Sequence, residues 1–158
     1  MKDPFAPWKA LSDAHAAAER ALTSALRPHG LTPAQFELLS VLEDMRCGCC
    51  GEGECKCDSS YLCQNDVGSR IDCTKGNVSG IVQRLVQSGA ISREPNPADR
   101  RYNAVRITAK GRTALFAARP AVEATLRAAF GGLSDIELDT LSRLSRRVGA
   151  PTDTAKGR

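Results

Sequence analysis

The stretch from Leu62 to Ile107 limits the choice of fold more than any other part of the chain. Cys63-Gln64-Asn65-Asp66-Val67-Gly68-Ser69-Arg70-Ile71 suits a short helix with Val67 and Ile71 turned inward. Asp72-Cys73 makes a turn, and Thr74 is a good N-cap for a second helix running to about Ser88. That helix is expected to bury Val78, Ile81, Val82, Leu85 and Val86, and Gly89 ends it. Ile91-Ser92-Arg93-Glu94 and Tyr102 to Ile107 then read as two strands around the turn-rich loop Pro95-Asn96-Pro97-Ala98-Asp99-Arg100. Two short helices joined by a tight turn form a helix-turn-helix, and a hairpin directly behind it is a wing.

Helical segments flank this unit on both sides. From about Trp8 to Leu26, the residues Leu11, Ala14, Ala18, Ala21, Leu22 and Ala25 follow helical spacing, and Pro28-His29-Gly30 ends the run. Thr32-Pro33 opens a second helix, with Phe36, Leu39 and Leu42 on its apolar face, reaching about Met45. Beyond the hairpin, Thr108 caps a helix to about Phe130, with a kink expected at Pro120. Gly131-Gly132 breaks it, and Ser134-Asp135-Ile136-Glu137 is a capping box for a last helix ending near Val148. The expected fold class is mainly α with a small β-hairpin. A winged helix-turn-helix lobe (residues 32–108) joins a helical lobe (residues 3–30 and 109–148), with a disordered tail over 150–158. The 158 residues favour one domain.

Composition narrows the function classes. No apolar run reaches the roughly 18 residues of a membrane span. The start Met1-Lys2-Asp3-Pro4-Phe5-Ala6-Pro7-Trp8 lacks the features of a signal peptide, which reads as a cytoplasmic protein without membrane association. Net charge is only +4, but Arg93, Arg100, Arg101, Arg106, Lys110 and Arg112 crowd one segment. Such a patch suits nucleic acid, or else a solvated charged surface. Aromatic content of 4% argues against base stacking on a single strand. Two histidines, His15 and His29, and the absence of a nucleophile–base pair or phosphate-binding loop argue against an enzyme.

All seven cysteines lie between Cys47 and Cys73. Residues 46–62 form an irregular, glycine- and charge-rich insert that cannot bury a core of its own. Cys47, Cys49, Cys50, Cys55 and Cys57, with Cys63 just beyond, are spaced too tightly for long-range disulfides but can converge on one metal centre. Thiolates suit an iron–sulfur cluster first, with Zn²⁺ or Cu(I) as alternatives. A metal-free thiol redox switch is the remaining reading. Cys73 fills a turn position expected of a small buried hydrophobe.

The run Gly76-Asn77-Val78-Ser79-Gly80-Ile81-Val82-Gln83-Arg84-Leu85-Val86-Gln87-Ser88-Gly89-Ala90-Ile91 resembles the recognition helix of the MarR family of bacterial regulators. Arg93 to Arg101 resembles its Asp-x-Arg wing, and Ile107-Thr108-Ala109-Lys110-Gly111-Arg112 its Thr-x-x-Gly helix start. Leu31 to Leu39 is similar to the second family helix, whereas the cysteine-rich insert departs from the family pattern. The resemblance implies an obligate homodimer, built from the first helix and the last two, on a pseudo-palindromic double-stranded operator, most simply as a repressor. In the recognition helix, Thr74, Lys75, Asn77, Ser79 and Gln83 are left outside to reach bases or phosphates, and Arg84 is expected on phosphate. Gly80 either lets the helix approach DNA closely or is merely tolerated. Arg100, with Arg101 beside it, is the candidate for the minor groove. Asp99 and Arg101 are expected to pair and hold the hairpin. Metal binding or redox change in the insert would fix the start of the helix at Cys63 and so switch operator binding. The rival is a regulator answering a small aromatic effector, with a structural zinc site.

Overall fold

The computed structural model describes residues 3, 5–45, 62–63, 67–71, 75–96, 101 and 103–148. In chain order the elements are α1 (Phe5–Leu26), a 3-10 turn (Arg27–His29), α2 (Pro33–Asp44), β1 (Leu62–Cys63), α3 (Val67–Arg70), α4 (Lys75–Gln87), β2 (Ile91–Pro95), β3 (Asn103–Ile107), α5 (Ala109–Phe130) and α6 (Asp135–Arg147). This is the mainly helical winged helix-turn-helix expected from the sequence. Among the described residues, no helix is long and apolar enough to cross a membrane.

The helix boundaries follow local chemistry. Gly30 adopts φ +68°, so its N–H donates to the Arg27 carbonyl while the Leu31 N–H reaches back to Leu26. This pattern closes a helix through a left-handed residue, where a side chain would be strained. Thr32 caps α2 by accepting from the Gln35 N–H at 3.3 Å, and the Gln35 side chain accepts from the Thr32 N–H at 2.9 Å. The reciprocal pair keeps the polar Gln35 satisfied although it is buried. Ser134 and Glu137 form the same box at the start of α6, as expected. There the Ser134 N–H and hydroxyl hold the Glu137 carboxylate below its ordinary pKa range.

One core joins nearly every element. Leu26 of α1, Leu38, Leu39 and Leu42 of α2, and Leu62 of β1 pack with Val67, Val82 and Leu85 of the helix-turn-helix. Val105 and Ile107 of β3 and Leu115, Ala118 and Val122 of α5 complete it. The expected apolar face of α2 shifts by part of a turn. Leu38 is fully buried and Phe36 only partly so, in a helix that packs against α1, α3, α4, α5 and β3.

The sheet has the order β1-β3-β2, all antiparallel. The hairpin runs in register from Ile91 opposite Ile107 to Pro95 opposite Asn103. The third strand corrects the sequence reading: Cys63 does not start a helix. Leu62 pairs with Val105 and Cys63 with Ala104, so the backbone here is extended and α3 begins only at Val67. The inward positions Val67 and Ile71 are nonetheless buried as expected.

Candidate nucleic-acid interface

The recognition helix α4 sorts its residues by angle. At roughly 100° per residue, Val78, Ile81, Val82 and Leu85 form one stripe, and all four are buried. Val86, expected inward, lies at the edge of that stripe and is 38% exposed. Asn77, Ser79, Gln83 and Arg84 fall on the outer surface and are all exposed, as the sequence suggested. Gly80 lies on the same side, and a methyl group built there meets no atom within 4 Å. The backbone of Lys75 opens the helix. Thr74 and Cys73 lie outside the described residues.

The end of α4 is fixed with care. Gly89 takes φ +73°, its N–H donating to the Val86 carbonyl at 2.9 Å, while the Ala90 N–H donates to Leu85 at 2.9 Å. The paired bonds, with Leu85 and Ala90 both buried, are the glycine-terminated helix end that turns the chain directly into β2. Thr108, the N-cap of α5, returns to the same point. Its backbone N–H donates to the Ala90 carbonyl at 3.1 Å. Its hydroxyl lies 2.7 Å from the Gly89 carbonyl and 3.1 Å from that of Ala90, and accepts from the Gly111 N–H at 3.1 Å. A Cβ on Gly111 would collide with the Ala90 carbonyl oxygen. The Thr-x-x-Gly pattern thus has a physical cause: α5 starts against the backbone that ends α4, and only glycine leaves room.

The wing extends from this junction. Arg93 and Glu94 on β2 are exposed, while Asn96, read from sequence only as a turn residue, is buried at the strand's end. Arg101 is exposed. Asp99 and Arg100 lie outside the described residues, so the expected Asp99–Arg101 pair and the minor-groove arginine fall beyond them. The same holds for Cys47, Cys49, Cys50, Cys55 and Cys57. Of the six candidate metal ligands, only the backbone of Cys63 is described, in β1.

A second surface lies on the helical lobe. Trp8 on α1 is 68% exposed and Ile136 on α6 is 80% exposed. Phe5, Leu11, Phe116, Leu141 and Leu144 add exposed apolar area on α1, α5 and α6. α6 buries none of its residues, although its capping box and helix are well formed.

Comparison with known proteins agrees with this geometry. The MarR family profile matches residues 62–102, from β1 through the wing. The HTH-type transcriptional regulator YkoM of Bacillus subtilis (strain 168) is 29% identical over 123 residues, spanning 78% of this chain and 71% of YkoM. Among solved structures, Bordetella bronchiseptica BpsR, described for regulation of its DNA binding by 6-hydroxynicotinic acid, superposes with a TM-score of 0.77 at 24% identity. It covers 91% of this chain and 93% of BpsR. A mutant MarR from E. coli complexed with operator DNA superposes with a TM-score of 0.76 at 21% identity, covering 95% of this chain and all of that one. Helix-turn-helix, wing, family profile and relatives converge: residues 62–102 match the MarR family, whose members are transcription regulators, and the whole chain shares the fold of its solved members.

Proposed function

We propose that the chain acts as a homodimer on a pseudo-palindromic duplex operator, most simply as a repressor, and that a thiolate-held centre in the α2–β1 connection switches its binding. The observation that carries the DNA reading is the outer face of α4, polar at Asn77, Ser79, Gln83 and Arg84 and set beside the hairpin. Asn77 and Gln83 can pair bidentately with adenine in the major groove. Thr74, Lys75 and Ser79 add contacts to bases or phosphate, and Arg84 to phosphate. Arg100 at the wing reaches the neighbouring minor groove, and Arg101 adds a DNA contact while its pairing with Asp99 steadies the hairpin. The apolar faces of α1, α5 and α6, including Trp8 and Ile136, are the surface the dimer buries. Two recognition helices in such a dimer stand about one DNA turn apart, roughly 34–36 Å.

The donor chemistry favours a soft metal. Cys47, Cys49, Cys50, Cys55, Cys57 and Cys63 offer six thiols in one short connection, enough for an iron–sulfur cluster, with Zn²⁺ or Cu(I) as alternatives. Such a centre supplies a link among thiolates that depends on metal supply or oxidation state. The connection leaves α2 after Asp44 and re-enters the fold at β1. Because β1 pairs with β3, ordering of the connection bears on the inner strand of the wing, rather than on the start of α3.

A second reading, response to a small aromatic effector with a structural zinc site, is favoured by one finding: the BpsR structure is described for regulation by 6-hydroxynicotinic acid. Selecting duplexes from a random pool at controlled salt, then measuring affinity against added metal, oxidant and aromatic acids, tests both readings. Palindromic selected sequences with affinity set by metal or oxidant support the first. Affinity moved only by aromatic acids supports the second, and failure to select any duplex refutes both.

A further inference from the structure

We infer that Thr108 is a positioning residue for operator recognition: with Gly111 it locks α4 and the wing to the helical lobe, and so sets how strictly half-site spacing is read. The inference rests on the dimeric DNA-binding reading above. Thr108 stands where four elements meet: the end of α4, the start of β2, the end of β3 and the start of α5. Its N–H and hydroxyl both converge on the Gly89 and Ala90 carbonyls, and the same hydroxyl oxygen receives the Gly111 N–H. The missing Cβ of Gly111 brings α5 onto the Ala90 backbone, and Ala90, Gly111 and Leu115 are all buried around the contact. Among the described residues α4 packs mainly on α2, α3 and β2, and this joint brings its C-terminal end onto the start of α5. In the dimer, α5 belongs to the shared lobe, and an error in angle at the joint becomes a displacement of the recognition helix relative to its twin. Two-site binding amplifies that displacement, because both helices must enter the groove on one face of the duplex.

The test compares the wild type, Thr108→Val and Thr108→Ser. Valine keeps the shape but removes the hydroxyl, while serine restores it. A duplex selected by the wild type is remade with its half-sites one base pair closer or farther, and affinities are read by fluorescence anisotropy at one salt concentration. The wild type and Thr108→Ser are expected to lose about tenfold or more on changed spacing. Thr108→Val is expected to lose less than about threefold, while its affinity for a single half-site stays near that of the wild type. A merely structural role would weaken every duplex together and leave the spacing ratio unchanged. That result in folded Thr108→Val overturns the inference. If that variant does not fold, hydrogen exchange of the wild type decides. Amides of Ala90, Thr108 and Gly111 protected as well as that of Leu115 support a rigid joint, and exchange at the rate of a fraying terminus refutes it. A wild type that selects no duplex refutes the DNA reading itself, and the inference with it.

Discussion

Two glycine-to-alanine substitutions should move stability in opposite directions. At Gly111 the new Cβ meets the Ala90 carbonyl oxygen well inside any real contact, with the Ala90 carbonyl carbon at 2.9 Å and the Ile107 Cγ1 at 3.0 Å. Two of the three obstacles are backbone, so no side chain can swing aside and α5 must retreat. Overpacking of this kind costs about 1–3 kcal/mol. Retreat also stretches the Thr108 bonds to the Ala90 carbonyl, each worth about 1 kcal/mol. Alanine regains at most about 1 kcal/mol of helix propensity. The balance is a loss of at least about 2 kcal/mol. At Gly80 nothing lies within 4 Å, and the same substitution should gain about 1 kcal/mol. Urea unfolding at one fixed protein concentration measures both, and the 2 kcal/mol loss is a midpoint lower by about 1 M for a slope near 2 kcal/mol/M. Gly111→Ala unfolding at or above the wild-type midpoint would refute the packing argument for the Thr-x-x-Gly start.

Other outcomes follow from single residues. Arg84→Ala should weaken binding to all duplexes alike and reduce the slope of log affinity against log salt by about 1, read by anisotropy titrations. Ile136→Asp places a charge on the most exposed apolar residue of α6 and should shift sedimentation from dimer to monomer, with the monomer's helix content retained. Glu137 has its pKa lowered by the backbone N–H of Ser134 first and its hydroxyl second. Its contribution is therefore present above the ordinary glutamate range and is lost as pH falls through the lowered folded value. Ser134→Ala removes only the hydroxyl, so an NMR titration should find the Glu137 pKa moved part of the way back up.

Most of the fold is legible where a boundary is made by one or two adjacent residues. Thr32, Thr108 and Ser134 cap helices, and Gly30 and Gly89 end segments, because those residue types satisfy terminal backbone groups locally. The role of Gln35 went unread, although Thr32-x-x-Gln35 has the spacing of a capping box. β1 was not. A two-residue strand has no periodicity, and Cys63 is extended only because Ala104, far along the chain, supplies its partner. Val86 and Phe36 show the same limit at finer grain: both sit at the edge of a helical stripe, where tertiary packing decides which neighbour is covered. The outer residues of α4 could be read from its apolar stripe. Gly111 was visible as a pattern, but its cause, the nearness of the Ala90 backbone, is a contact between distant segments.

The central claim is that the cysteine-rich connection controls operator affinity. Its most direct test is to purify the protein without oxygen, determine bound metal and absorption spectrum, and measure affinity for the selected duplex before and after chelation or oxidation. A bound iron–sulfur cluster, zinc or copper, with a change in affinity of about tenfold or more when it is removed or oxidised, is the predicted result. A colourless, metal-free protein whose affinity ignores both metal and oxidant would contradict it.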